Sequence, residues 1–279
     1  MRKYLNTYLP LFYGAYFNSL SLVSKKKAAE KAFMLFCTPR KGSVRSEQQG
    51  FLNEAKGIRV KTNGLELQTY HWKGSKETVL LIHGWESNVY RWRNLVGYLK
   101  KEDYNIIAFD APAQGYSTGE ILNVPLYTEC TQAVVDQFKP KFVIGHSMGG
   151  MTTLYHQEKY PNEAIEKIIT IGAPSDLTDV MLHYQRLLRF NDKVLKGLDD
   201  YLRENYGFGI KEFSTSKFKG HLSKKGLVIH DREDPIAPFI ASEKVHAKWK
   251  NSEFYITQGL GHSMHQDQVN IHIMDFLNS

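Results

Sequence analysis

The apolar residues in the middle of this 279-residue chain come in unbroken runs rather than in alternation. Thr78-Val-Leu-Leu-Ile-His83, Tyr104-Asn-Ile-Ile-Ala-Phe109 and Lys141-Phe-Val-Ile-Gly145 are the clearest. A strand with one wet face alternates apolar with polar side chains. An unbroken run needs cover on both faces, which is the condition of a parallel sheet between helices. Helical patterns follow each run, over 89–101, 126–138 and 148–160, the last two closing before Pro140 and Pro161. Further strands are predicted within 164–171, 226–230 and 253–256, with helices at about 239–249 and 264–277. Strand–helix alternation of this kind predicts an α/β fold, a doubly wound and mostly parallel sheet. Ahead of it, Ile58–Val60 and Leu65–Tyr70 alternate around Asn63-Gly64, a hairpin turn signal.

Two regions stand outside that rhythm. Residues 1–56 are predicted to form an N-terminal helical extension, with one helix over 26–37 and a short one over 46–55. The main domain then spans 57–279. Within it, residues 175–222 hold helical patterns and no convincing strand: Met181, Tyr184, Leu187 and Leu188 make one stripe, Val194, Leu195, Leu198 and Leu202 another. This reads as a helical cap, or lid, inserted between two strands of the sheet.

The net charge of +7 is unevenly placed. Residues 1–60 hold 11 Lys/Arg against 3 Asp/Glu, and the remainder 25 against 26. The main domain therefore lacks the basic bias of a nucleic-acid binder. No charged residue falls between Tyr4 and Ser24, while Arg2-Lys3 and Lys25-Lys26-Lys27 flank that stretch. Pro10, Gly14 and many polar residues argue against a spanning helix, which needs ~20 mostly apolar residues. No apolar block leads to a small-residue cleavage site, against a signal peptide. Two readings of residues 1–31 stay open: a helix packed on the domain, or an amphipathic anchor in peripheral contact with a membrane. Cys37 and Cys130 are too few for a disulfide framework and read as thiols in a reducing, cytoplasmic setting.

The chemistry is concentrated in Gly145-His146-Ser147-Met148-Gly149, which matches Gly-x-Ser-x-Gly between a buried strand and a helical pattern. Such a sharp turn strains the serine and leaves no room for side chains at Gly145 and Gly149. It sets Ser147 at the carboxyl edge of the sheet, against a helix N-terminus that favours an oxyanion. A serine hydroxyl also needs a histidine base and an orienting acid. Downstream, Asp231, Glu233 and Asp234 follow the strand at 226–230, and Asp234 fits best because Asp234-Pro-Ile-Ala-Pro238 is a rigid turn into a helix. After the last strand, His262 follows Gly261 directly in the loop, with His265 as its rival. An oxyanion hole would take the backbone N–H of Met148 and that of Trp85, in the loop after Ile82. His83 is expected to organise that loop, and His146 to pack rather than move protons.

Together these pieces resemble the α/β-hydrolase family, in particular its lid-bearing serine esterase and lipase-like branch. The resemblance runs through His83-Gly84-Trp85, Asp110-Ala111-Pro112-Ala113-Gln114-Gly115-Tyr116-Ser117, Gly145 to Gly150, Asp234 to Pro238 and Gly261-His262, in the family's order, and covers about residues 57–279. Relatives usually carry Gly where Ala113 stands and often His where Gln114 stands, a change expected to be minor. Branches with an aspartate nucleophile do not match Ser147, and the loop His-Gly-Trp-Glu-Ser is not the His-Gly-Gly-Pro-Gly of the proline iminopeptidase-like branch. The resemblance implies a Ser147–His262–Asp234 triad cleaving carboxylic esters through an acyl-enzyme, with Met181, Tyr184 and Leu188 of the lid lining an apolar substrate pocket. It implies no metal and no organic cofactor. A thioesterase or a membrane-associated lipase are the neighbouring readings. A hydrolase fold used only for binding is the contrary one, and its usual sign, a missing serine, histidine or acid, is absent.

Overall fold

The computed structural model describes residues 2–279. Among them eight strands form one sheet: β1 (Lys56–Thr62), β2 (Leu65–Trp72), β3 (Thr78–Ile82), β4 (Asn105–Phe109), β5 (Phe142–His146), β6 (Lys167–Ile171), β7 (Lys225–Asp231) and β8 (Ser252–Thr257). Their order is β1-β2-β4-β3-β5-β6-β7-β8. β1 and β2 pair as the hairpin expected around Asn63-Gly64, and β2 runs antiparallel to β4. Every other neighbouring pair is parallel. The helices are α1 (Arg2–Val23), α2 (Lys25–Cys37), α3 (Gln49–Asn53), α4 (Arg93–Lys101), α5 (Val124–Phe138), α6 (Met148–Lys159), α7 (Leu177–Leu188), α8 (Asp192–Tyr206), α9 (Phe239–His246) and α10 (Asp267–Asn278).

The unbroken apolar runs split residue by residue between two cores. Val79 and Leu81 of β3 join one, with Leu95 and Leu99 of α4 and Val269 and Ile273 of α10. Leu80 and Ile82 join the other, with Tyr127 and Val134 of α5, Leu154 of α6 and Val245 of α9. A strand whose side chains alternate faces needs apolar residues at every position once helices cover both sides. The order also creates a topological switch. From β3 the chain passes to β4 on one side and later to β5 on the other, so the loops leaving β3 and β5 diverge at the carboxyl ends of adjacent strands. Open α/β sheets bind their ligands in such a crevice.

The loop after β4 is built around a buried carboxylate. Asp110 accepts hydrogen bonds from the N–H groups of Val89 and Tyr116, at 3.0 and 2.9 Å, and from the Tyr70 hydroxyl at 2.8 Å. Gly115 must be glycine, since a Cβ there would lie 2.0 Å from the Asp110 carboxyl carbon. Ala113, where glycine is usual in relatives, still has a left-handed φ of 61°. The alanine is therefore held in a left-handed conformation, at a cost of about 1–2 kcal/mol. Gln114 is not a passive change either: its Oε1 accepts the N–H of Ser87 at 2.9 Å, tying this loop to the one that carries Trp85.

The chain divides into two compact units, Pro39–Ser175 with Thr215–Ser279, and Met1–Thr38 with Asp176–Ser214. The first holds the sheet. In the second, α1 and α2 pack with α7 and α8. The segment expected as one extension over 1–56 is thus parted near Thr38, and its first portion shares a core with the insertion. Small residues allow this: a Cβ on Gly197 of α8 would lie 3.0 Å from the Ala29 Cβ of α2, and one on Gly14 of α1 would meet the Leu188 carbonyl. Met181, Tyr184 and Leu188, expected to line substrate, are buried in this unit at 1%, 7% and 4% exposure. The Tyr184 hydroxyl donates to the Ala32 carbonyl at 2.9 Å, and its ring packs on Phe36. Leu187 leaves the expected stripe and is 53% exposed. An amphipathic stripe says that a face is covered, not by what, and here other helices of the unit supply the cover.

Two outcomes are expected. Burial pushes the Asp110 carboxyl up to about 6, against the pull of its N–H and hydroxyl donors. Between its ordinary 3.8 and about 6, the folded chain keeps a proton that the unfolded chain has released. Stability should therefore fall as pH rises through that window, by on the order of 2–3 kcal/mol from this residue. Urea midpoints at pH 4.5 and 7 should show a drop that Asp110→Asn reduces; an identical drop in the variant refutes the assignment. Ala113→Gly should raise the melting midpoint, since relief of left-handed strain outweighs the added freedom of the unfolded chain by roughly 0.5–1 kcal/mol.

Candidate active site

Ser147 sits between β5 and α6 with φ 55° and ψ −123°, a conformation that costs a non-glycine residue about 1–3 kcal/mol. The surrounding glycines explain how the strain is sustained. A Cβ on Gly145 would lie 2.4 Å from the Gly149 carbonyl oxygen, and one on Gly149 would lie 2.1 Å from the Ile82 carbonyl oxygen of β3. The turn therefore presses against both its own helix and the neighbouring strand. The Ser147 N–H donates to the Ile171 carbonyl of β6 at 2.8 Å, which pins the turn from the other side.

The residues singled out from three distant loops meet here. His262 Nε2 lies 2.9 Å from Ser147 Oγ, and His262 Nδ1 lies 2.7 Å from Asp234 Oδ2. With Nδ1–H donating to the carboxylate, Nε2 is left as the acceptor for the serine hydroxyl. Asp234 is buried at the side chain, and its Oδ1 accepts the N–H groups of Ile236 and Ala237 at 2.8 and 3.0 Å. Burial opposes its ionisation, but His230, His262 and these two N–H groups outweigh it and hold the carboxyl well below its ordinary value. Neither rival acid reaches His262. Asp231 turns to other donors, and Glu233 accepts from Gln258 at the surface. His265 lies outside α10, in the segment before it, and its carbonyl accepts from Asn94.

Trp85 and Met148 flank Ser147 through their backbones. Gly84 approaches so closely that a Cβ there would be 3.0 Å from the Ser147 Cβ. Met148 is the first residue of α6, so its N–H is one of the donors a helix start leaves over. Among the described residues no protein group accepts the N–H of Trp85 or of Met148. His83 organises this loop as expected: its ring accepts the Ala111 N–H at 2.9 Å and lies 2.8 Å from the Gly84 carbonyl. Burial lowers its pKa to about 4, so the ring is neutral.

Several supporting side chains were not singled out from sequence. His146 does more than pack, for its Nε2 donates to the His262 carbonyl at 2.9 Å. Burial keeps that ring neutral. Asp231 Oδ2 accepts the Leu260 N–H at 2.9 Å and the Thr257 hydroxyl at 2.8 Å, while Oδ1 accepts the Glu233 N–H at 3.0 Å. One carboxylate thus joins the Asp234 loop to the His262 loop. Arg91 donates to the Ser263 carbonyl at 2.8 Å and completes the clamp. Fully buried His230 lies 3.0 Å from the Ala237 carbonyl and 3.3 Å from Asp234 Oδ2. The partners at Thr257, Leu260, His262 and Ser263 are remote in sequence, so no local motif points to them. Among the described residues no group of three or more His, Cys, Asp or Glu side chains is arranged to hold a metal.

The α/β hydrolase fold profile matches residues 77–206, from just before β3 to the end of α8. The match spans just under half of the chain, and together with the relatives below it supports membership of the α/β-hydrolase fold family. Its similarity to an uncharacterised hydrolase, YugF of Bacillus subtilis, is 23% identity over 266 residues, covering 78% of this chain and 97% of that one. Human serine hydrolase BPHL is 24% identical over 78% of this chain and 85% of its own. Among solved structures, the Pyrococcus furiosus esterase Pf2001 superposes with a TM-score of 0.65 at 20% identity, over 87% of this chain and 97% of that one. With hydrolases as its relatives over most of its length, this family member is an enzyme of the hydrolase class.

Gly149→Ala tests the steric account of the turn. Its Cβ would meet backbone, not a movable side chain, so a loss of at least about 1–3 kcal/mol in urea unfolding is expected. Unchanged stability would show that the elbow has slack.

Proposed function

We propose that this enzyme hydrolyses carboxylic esters of small or medium apolar groups through an acyl-enzyme on Ser147. The observation that carries the proposal is the unbroken relay from Ser147 Oγ to His262 to Asp234, at 2.9 and 2.7 Å. Ser147 Oγ attacks the ester carbonyl as His262 Nε2 takes its proton. The tetrahedral oxyanion is held by the N–H groups of Trp85 and Met148, aided by the N-terminus of α6. As the intermediate collapses, His262 returns the proton to the departing alcohol. Water then attacks the acyl-serine with His262 again as base, and the acid leaves with Ser147 restored. Asp234, ionised throughout by its donors, holds the imidazole orientation and stabilises its charged form.

Apolar substrates are favoured by what surrounds the nucleophile. Trp85 and Met148 are partly buried and pack on the second core, so their side chains present carbon surface near the reacting centre. Relatives named as serine hydrolase and esterase support the same chemistry.

The test is a panel of nitrophenyl esters of increasing acyl length, with acyl-thioesters alongside. Wild type should turn over the short and medium esters. Ser147→Ala and His262→Ala should each lower kcat by about 10⁴-fold or more, with a folded structure by circular dichroism. Undiminished turnover in Ser147→Ala refutes the mechanism, and preference for thioesters over matched esters refutes the substrate class.

A further inference from the structure

The smaller, helical unit carries an unusual surface. Of the fourteen large apolar side chains exposed among the described residues, nine belong to it. Six of these lie on α1: Tyr8, Leu9, Phe12, Tyr16, Leu22 and Val23, exposed by between 39% and 86%. Tyr8, Phe12 and Tyr16 recur at four-residue spacing, and Ala15, Ser19, Leu22 and Val23 continue the same face. The opposite face, with Gly14, Phe17 and Ser21, is buried within the unit. A surface helix ordinarily puts charge outward. Here, beyond Arg2 and Lys3 in its first turn, the helix carries none, because no charged residue occurs between Tyr4 and Ser24.

We propose that the outer face of α1 docks on an anionic lipid surface, lying in the plane of the headgroups. Chemistry selects this occupant. The face is rich in aromatic residues, and tyrosine, with an apolar body and polar tip, suits the boundary between headgroups and acyl chains. Basic residues stand at both ends of the uncharged stretch, Arg2-Lys3 before it and Lys25-Lys26-Lys27 after it. Lys25 and Lys26 are paired with Asp200 and Glu204 of α8. Lys27 and Lys31 are exposed and have no ion pair among the described residues, so they remain available to anionic headgroups. The mode is peripheral: among the described residues no helix is long and apolar enough to cross a membrane. From Tyr8 to Val23 the helix, lying flat, offers about 24 Å of apolar edge. The inference rests on the surface of α1 and the exposed lysines of α2, and is independent of the chemistry at Ser147.

Flotation of the full chain on phosphatidylcholine vesicles, and on vesicles of equal phosphatidylcholine and phosphatidylserine, tests it. Wild type should float with the anionic vesicles. The combined variant Phe12→Ser, Leu22→Ser, Val23→Ser should partition at least roughly tenfold more weakly. Lys27→Glu with Lys31→Glu should lose roughly tenfold on the anionic vesicles and little on the neutral ones. All the altered residues are exposed, so melting curves should stay close to wild type; should the triple variant unfold, Phe12→Ser alone and the lysine pair carry the comparison. Wild type remaining with the lipid-free fraction, or variants floating as well as wild type, overturns the proposal. Lipid-independent dimerisation that the apolar variant abolishes, without flotation of wild type, overturns it in favour of a second copy of the chain.

Discussion

The approach of Gly149 to the Ile82 carbonyl of β3 governs the part of the molecule that carries Ser147. It lets α6 start directly against the neighbouring strand, which forces the preceding residue into φ 55°, ψ −123°. That strain lifts Ser147 clear of the sheet and into the crevice where the strand order reverses. The same contact brings the loop after β3 alongside Ser147, so that Gly84 nearly touches it. The Ser147 hydroxyl, the backbone N–H of Met148 and the helix terminus are set together by this backbone packing, with strain of about 1–3 kcal/mol sustained by the buried central strands.

Around that centre, buried polar groups fasten loops that have no regular structure of their own. Asp110 gathers the loop after β4, and through Gln114 that loop reaches the one bearing Trp85. Asp231 joins the Asp234 loop to the His262 loop, and His146 and Arg91 hold the carbonyls of His262 and Ser263. The placement of Ser147, His262 and Asp234 relative to one another depends on such supports as well as on the three residues themselves. It follows that the two rival acids of the sequence have separate uses: Asp231 is structural and Glu233 is a surface residue.

Much of this was legible beforehand, for identifiable reasons. Strands covered on both faces announce themselves by unbroken apolar runs, and each predicted strand lies within a residue or a few of its observed limits. The nucleophile turn was legible because its steric demand is local: two glycines four residues apart, after a strand. Asp234 stood out because a proline-bounded turn is also local. The supports of His262 were not legible, since His146 and Asp231 act on partners 116 and 29 positions away. Ala113 shows a subtler limit. A missing glycine looks like a changed backbone in sequence, whereas the alanine itself is held in the left-handed conformation.

The helical portions mark the boundary most clearly. From its sequence alone the chain had to form amphipathic helices before the sheet and within the 175–222 insertion, because apolar side chains at helical spacing must find cover. Which helices cover one another depends on shape across a long separation in sequence. It was decided by glycine and alanine at Gly14, Gly197 and Ala29, where backbones come close. That choice turned Tyr184 inward to Ala32 and left the aromatic face of α1 outward. Periodicity specifies that a face is apolar; only the tertiary packing, which has a limited area to bury, decides which apolar face stays exposed.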